Sequence, residues 1–102
     1  VGGFDENFHM YGEEIEWQYR MKKAGFKIWY FSDVQAVHLE RQTVKSLSPA
    51  YALIGEMKGY VYFFKLHRPR WEQIVLPWIL RLGSLIRIPL QKDYVEVLRA
   101  FA

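Results

Sequence analysis

Aromatic side chains are abundant in this sequence, and they limit the ways in which it can fold. The chain has 102 residues, of which 7 are Phe, 7 are Tyr and 4 are Trp. A single small domain cannot bury so many large rings. Part of this apolar surface is therefore expected to contact a partner, a membrane surface or further polypeptide. Because the chain contains no cysteine, disulfide scaffolds, zinc–cysteine sites and thiol nucleophiles are excluded.

Charge is distributed unevenly along the chain. Residues 1–16 hold five acidic side chains and no Lys or Arg, whereas residues 58–92 hold seven Lys or Arg and the single acid Glu72. The acidic end is expected to carry a site, and the basic, apolar end to pack or to bind a surface. No nucleic-acid recognition motif accompanies the basic residues, so nucleic acid is not a predicted partner. The start at Val1, followed by Gly2-Gly3, is typical of a piece of a longer chain.

A helix is predicted from about Glu13 to Ala24, after a loop of twelve residues. Glutamates fill its first two turns, basic residues fill its end, and Gly25 is placed to terminate it, an order that suits the helix dipole. Glu16 and Arg20 are four residues apart and are expected to pair on the surface, which contributes about 0.3–0.5 kcal/mol.

One carboxylate of this helix lies on its predicted apolar stripe. Glu14 is three residues before Trp17, and with it shares a face that continues through Met21 and Ala24. A carboxylate on the inward side of the first turn is held ionised by the free backbone N–H groups there. The spacing alone leaves two interpretations open, a functional carboxylate and an ordinary helix cap.

Two short strands are predicted after this helix. Residues 26–31 alternate in an apolar pattern, Ser32-Asp33 forms a turn, and Val34–Leu39 is a second strand with His38 at its end. His38 is read either as a core residue or as a ligand. Residues 40–47 are predicted to be a loop.

The second half of the chain is predicted to be helical. Ser48-Pro49 favours a helix start, and the apolar stripe continues to about Lys65. Residues 71–90 are the most apolar stretch, but Arg and Pro residues interrupt them, so an interfacial amphipathic helix or a bent helical pair is predicted. Membrane contact and packing against other polypeptide both remain open for it. A short helix is predicted at 94–101. The Gly55-x-x-x-Gly59 pattern is a weak packing signal here.

Most familiar catalytic patterns are absent from the sequence. There is no Gly-rich phosphate loop and no nucleophile elbow, and the three histidines are too scattered for a His-x-x-His metal pair. One constellation remains. It consists of the run Gly-Gly-Phe-Asp-Glu, a helix opening with Tyr-Gly-Glu-Glu-Ile-Glu-Trp, and a histidine after the predicted strands. Adjacent carboxylates near an imidazole suit deprotonation of a hydroxyl as it attacks an electrophile.

The ordered run VGGFDENFHMYGEEIEW at residues 1–17, with Arg20, Ala24-Gly25-Phe26 and His38 in step, resembles glycosyltransferase family 2 and its rhamnosyltransferase-like bacterial members. The resemblance covers residues 1–45. It implies an α/β fold in which residues 1–45 are the C-terminal part of a GT-A catalytic domain, with the acceptor side, the base and a short strand pair. Residues 46–102 would then form a helical, aromatic and basic tail that contacts the membrane.

The resemblance also implies the chemistry, an inverting displacement by the acceptor hydroxyl on a nucleotide-sugar donor. Glu14 stands at the position of the general base, where the family more often has Asp, and Glu13 would position the acceptor or the base. The residues that correspond to the substrate-binding loop are Gly2, Gly3, Phe4 and Asp5. His38 corresponds to a late histidine that completes the site of a divalent metal, Mg or Mn. The main Asp-x-Asp ligands of that metal are absent from this chain.

The expected partners are the nucleotide-sugar donor and a saccharide or lipid-linked acceptor in cell-surface polysaccharide synthesis. The expected location is the cytoplasm, peripheral at the inner face of the bacterial plasma membrane. The alternative is a non-catalytic module that binds a membrane surface through residues 58–92 and uses the acidic helix only as a capped structural element.

Overall fold

The computed structural model describes residues 1–38 and 48–101, and the regular secondary structure of these residues is helical. The four helices are α1 (Glu13–Lys23), α2 (Pro49–His67), α3 (Arg70–Arg87) and α4 (Tyr94–Ala100). Helices α2, α3 and α4 pack against one another. The N-terminal loop, residues 1–12, lies between α1 and α2 and contacts both.

The ends of α1 follow from local sequence. The helix begins at the predicted Glu13, with three glutamates in its first turns, and ends one residue before the predicted Ala24. Gly25 has a φ of 92°, which glycine adopts readily. Its N–H donates to Lys22 O at 3.1 Å, and the N–H of Phe26 donates to Met21 O at 3.0 Å. These two bonds form a Schellman motif, which satisfies the last carbonyls of the helix.

The helices predicted in the second half are present, with starts within one residue of those predicted and ends one to three residues away. The hydroxyl of Ser48 accepts from the N–H of Tyr51, and Pro49 occupies the first turn of α2. Pro69 separates α2 from α3, which continues through Pro77 to Arg87. Within the described part of the chain, no helix is long and apolar enough to cross a membrane.

The predicted strand pair, and with it the α/β GT-A architecture, is wrong for the described residues. Residues 26–38 form neither helix nor strand, and Leu39 and the predicted loop 40–47 lie outside the described residues. A two-stranded hairpin is marginal in water unless a further strand or a helix covers it. Nothing among the described residues covers the rings of Trp29 and Tyr30, which are 70% and 91% exposed. The apolar alternation of residues 26–31 is present in the sequence, but no strand pairs with this segment among residues 1–38 and 48–101.

Two glycines of α2 set the distance between this helix and the N-terminal loop. A Cβ atom on Gly59 would lie 2.5 Å from the carbonyl oxygen of Tyr11, and one on Gly55 would lie 3.5 Å from that of Met10. At this crossing Tyr11 and Gly12 both have positive φ, 68° and 97°. The loop backbone therefore rests directly on the Gly55-x-x-x-Gly59 face, and the first turn of α1 starts beside α2.

This close approach gives a prediction about stability. Gly59→Ala should lower the free energy of unfolding of the full-length natural protein by about 1–3 kcal/mol, because the methyl group forces two backbones apart. Gly55→Ala is the matched control, since its methyl group would make ordinary contact with Met10. Because Gly55 lies in the interior of a helix, Gly55→Ala should raise the free energy of unfolding by up to about 1 kcal/mol. Urea unfolding of both variants checks this, and equal effects at the two positions would contradict it.

Candidate functional site

The backbone of the N-terminal loop is bound to one side of α1. The indole N–H of Trp17 donates to Gly2 O at 2.9 Å, and Nη2 of Arg20 donates to Gly3 O at 2.6 Å. The ring of Phe4 meets that of Trp17 edge to face, with centroids 5.1 Å apart, and remains 56% exposed. The structure therefore brings together three of the predicted substrate-loop residues at α1, Gly2 and Gly3 through their carbonyls and Phe4 through its ring.

The fourth predicted loop residue, Asp5, connects this loop to α2. Its Oδ1 accepts from the backbone N–H of Asn7 at 2.9 Å and from the Asn7 amide at 2.7 Å, while Oδ2 accepts from the Tyr62 hydroxyl at 3.2 Å. The bonds from Asn7, followed by that from Tyr62, hold the pKa of Asp5 below its ordinary value. Burial first, and then the hydrogen bond to Asp5, raises the pKa of Tyr62. At neutral pH this contact therefore joins a carboxylate and a neutral phenol.

The innermost side chain of α1 is Glu16, which is 2% exposed. Its two carboxylate oxygens accept from Nε of Arg20, each at 2.8 Å, and Oε1 also lies 2.8 Å from Nε2 of His67 at the end of α2. An ionised carboxylate only accepts hydrogen bonds, so Nε2 of His67 is the donor. The predicted pairing of Glu16 with Arg20 is confirmed. The predicted surface location is wrong for Glu16, which His67 of α2 also contacts, whereas Arg20 remains 25% exposed.

An aromatic cluster covers the Glu16 carboxylate. The ring of His67 lies 4.7 Å from that of Tyr19 and 5.0 Å from that of Phe63, and Tyr19 and Phe63 are 5.2 Å apart. These rings remove water from the hydrogen bonds beneath them. Electrostatic attraction within the cluster is correspondingly stronger than at an exposed pair.

The two predicted catalytic carboxylates lie at the first turn of α1 in different surroundings. Oε2 of Glu13 is buried and has no hydrogen-bond partner among the described residues. Glu14 is exposed to solvent, although its stripe was predicted to face the body of the protein. The inward position belongs to Glu16 instead.

Glu14 has a tyrosine neighbour across the loop–α2 crossing. The hydroxyl of Tyr60 donates to Oε1 of Glu56 at 2.6 Å. This hydrogen bond, followed by burial and by the charges of Glu56 and Glu14, raises the pKa of Tyr60. Tyr60 therefore stays protonated at neutral pH, and it lies within electrostatic reach of Glu14.

A cleft of about 340 Å³ opens from this point between α2, α3 and α4. Its polar lining comes from Glu56, Tyr60, Arg87 and Tyr94. The guanidinium of Arg87 lies over the ring of Tyr94 at 5.9 Å. Aromatic faces beside a carboxylate and a guanidinium can hold a polar organic molecule such as a sugar. No local pattern in the sequence indicates this cleft, because its residues come from three helices.

The predicted metal ligand is not part of this arrangement. His38 is exposed, at the end of the described segment that follows α1. Among residues 1–38 and 48–101, no three His, Asp, Glu or Cys side chains form a group that could hold a metal ion. The described residues therefore do not fit a metal site by themselves, and the role of His38 stays a prediction.

Comparison with known proteins indicates an enzyme class. The chain is 33% identical over 85 residues to an N-acetylglucosaminyl-diphospho-decaprenol L-rhamnosyltransferase of Mycobacterium tuberculosis. The aligned region covers 83% of this chain and 27% of that protein. It is 35% identical over 68 residues to the succinoglycan biosynthesis protein ExoA of Rhizobium meliloti, covering 67% and 20%. The chain thus spans about a quarter of the curated relatives it matches. No family model matches it, and no solved structure does.

The Glu16 network should be a main source of stability for this site. Glu16→Gln removes the charge that faces Arg20 and His67 and should cost about 1.5–3 kcal/mol. Glu6→Gln, at an exposed acid of the loop, should change stability by less than about 0.5 kcal/mol. A double-mutant cycle of Glu16→Gln with His67→Gln, measured by urea unfolding, should give a coupling energy of at least about 0.5 kcal/mol. Additive effects of the two changes would contradict the described contact.

Proposed function

We propose that this chain is a segment of a glycosyltransferase. It would act with a nucleotide-sugar donor and a saccharide or lipid-linked acceptor in the synthesis of a bacterial cell-surface polysaccharide. The observation that carries the proposal is the 33% identity to a rhamnosyltransferase over 83% of the chain. The paired carboxylates Glu13 and Glu14 at the first turn of α1 support it, because they fall within the run of residues 1–17 that resembles the family.

Glu14 is the proposed general base. Its exposure leaves the carboxylate accessible to an incoming hydroxyl, from which a general base accepts a proton. As the acceptor oxygen forms a bond to the anomeric carbon, its O–H bond breaks and the proton passes to Glu14. The bond between the anomeric carbon and the phosphate oxygen breaks in the same displacement. The nucleoside diphosphate leaves with that electron pair, and the configuration is inverted.

Glu13 is proposed to position the acceptor or the base, and the cleft to hold the acceptor. Oε2 of Glu13 is a buried acceptor atom without a partner among the described residues, so this carboxylate supports the turn that carries Glu14 from inside. Tyr60 lines the cleft of α2, α3 and α4, and its hydroxyl donates to Glu56. The proposed role of Tyr60 is to form part of the acceptor side through its ring.

The N-terminal loop is proposed to contact the sugar donor. The carbonyls of Gly2 and Gly3 already accept hydrogen bonds from α1, so a ligand there would meet the exposed ring of Phe4 and the backbone N–H groups. Asp5 supports the loop through Asn7 and Tyr62.

The base assignment is tested in the full-length enzyme. Glu14→Gln should lower kcat by about 10²–10⁴-fold, the usual contribution of a positioned general base, while donor affinity stays nearly unchanged. Glu14→Asp keeps the carboxylate that the family more often carries here, and should retain much more activity than Glu14→Gln. Steady-state transfer assays and equilibrium binding of the donor measure both quantities. Substantial transfer by the Gln variant would overturn the assignment.

The metal prediction is tested separately. If His38 is a ligand of a divalent ion in the full-length enzyme, His38→Ala should raise the concentration of Mg²⁺ or Mn²⁺ needed for half-maximal transfer. His9→Ala is the control, because the imidazole of His9 contacts the Tyr51 hydroxyl at 2.8 Å on the opposite side of the loop. An unchanged metal titration for His38→Ala would remove His38 from the proposed metal site.

A further inference from the structure

Helix α3 exposes most of its large apolar side chains. Its opposite side contacts α2 and α4, and Ser84 on that side is buried, with its hydroxyl bonded to Leu80 O at 2.8 Å. The residues of the outward face are Trp71, Ile74, Val75, Trp78, Ile79, Leu82, Leu85 and Ile86, each of them exposed. No other helix among the described residues leaves a comparable set of side chains uncovered.

These eight side chains form one continuous surface. At about 100° per residue they fall within an arc of about 140°, and no charged side chain of α3 falls inside that arc. Pro77 and Gln73 lie on the other side of the helix. The backbone carbonyl of Gln73, which Pro77 leaves without its helical donor, is therefore turned away from the apolar arc.

One border of this face carries positive charge. The guanidinium of Arg81 lies 5.0 Å from the ring of Trp78, and Arg70, in the first turn of α3, falls on the same border at about 100° per residue. The single acid of α3, Glu72, is held by Arg68 through bonds of 2.6 and 2.8 Å. The surroundings of the outward face are thus cationic, which complements an anionic surface.

We propose that α3 is the membrane-binding element of this protein and lies flat in the interface of an anionic bilayer, with its outward face inserted among the acyl chains. An apolar arc with tryptophan, bordered by arginine, is the pattern of helices that lie in the plane of the headgroups. The length of α3 and its charges are unsuited to spanning the bilayer. This deepens the proposed function, because an acceptor with a lipid carrier is available only at the membrane surface.

The experiment uses the full-length natural polypeptide and vesicles of phosphatidylglycerol and phosphatidylethanolamine, with phosphatidylcholine vesicles for comparison. Trp78→Glu combined with Leu82→Glu places two charges in the centre of the arc. This variant should lose about tenfold or more in affinity for the anionic vesicles, because both insertion and charge attraction are weakened. The wild-type protein should bind phosphatidylcholine more weakly and should be released by salt.

Trp29→Glu is the matched control. Trp29 and Trp78 are 70% and 64% exposed, but Trp29 lies in the segment after α1 and outside the outward face. Its variant should bind vesicles like the wild type. Full vesicle binding by the Trp78→Glu, Leu82→Glu variant would overturn the proposal. Loss of its fold without vesicles, seen by circular dichroism, would overturn it as well, because the face would then pack against polypeptide.

Failure of this proposal can be distinguished from failure of the proposed function. Transfer to a water-soluble acceptor needs no membrane, so the Trp78→Glu, Leu82→Glu variant should retain it. If the wild-type protein bound anionic vesicles but transferred no sugar to any acceptor, the glycosyltransferase proposal would fail and α3 would remain a membrane-binding helix. If the wild-type protein transferred sugar but bound no vesicles, the glycosyltransferase proposal would stand and the membrane-binding role of α3 would fail.

Discussion

The buried carboxylate of Glu16 connects three parts of the molecule that no local interaction would hold together. It accepts hydrogen bonds from Arg20 on its own helix and from His67 at the end of α2. The same guanidinium of Arg20 donates to Gly3 O in the N-terminal loop. An ion removed from water costs several kcal/mol unless it is well paired, so this arrangement is stable only when all the partners are in place. The geometry of loop, α1 and α2 is consequently specified as a unit.

The position of the proposed base follows from this unit. Glu14 makes no anchoring contact through its own side chain in the described structure; its location depends on the two ends of the turn that carries it. Before the turn, Gly12 packs against Gly59 of α2. After the turn, Glu16 is held by its hydrogen bond with His67 of α2. An exposed catalytic group on a buried support has the accessibility that a base needs and the fixed geometry that efficient proton transfer needs.

The sequence predicted well those features that are determined by neighbouring residues. Three local signals are present in the structure. They are the run of glutamates that starts α1, Gly25, which terminates α1, and Ser48-Pro49, which starts α2. The Glu16 environment was missed because its decisive partner, His67, is 51 residues away. The strand pair failed for the related reason that alternation specifies which faces are apolar and not whether a second strand is present to pair.

Two apolar surfaces remain exposed, and the hydrogen bonding of their backbones distinguishes what each can contact. The backbone groups along the outward face of α3 bond within the helix, and the Gln73 carbonyl that Pro77 leaves without its helical donor lies on the other side. The outward face can therefore enter an environment that offers no hydrogen bonds. In residues 27–38, by contrast, no backbone–backbone hydrogen bond is formed within the described structure. Trp29 of this segment lines an apolar groove of about 640 Å³ with Phe26, Tyr19 and Phe63. Burying that segment in lipid would strand its N–H and C=O groups at a cost of several kcal/mol each. Its rings are therefore suited to a polypeptide that supplies donors and acceptors, whereas those of α3 are suited to the bilayer.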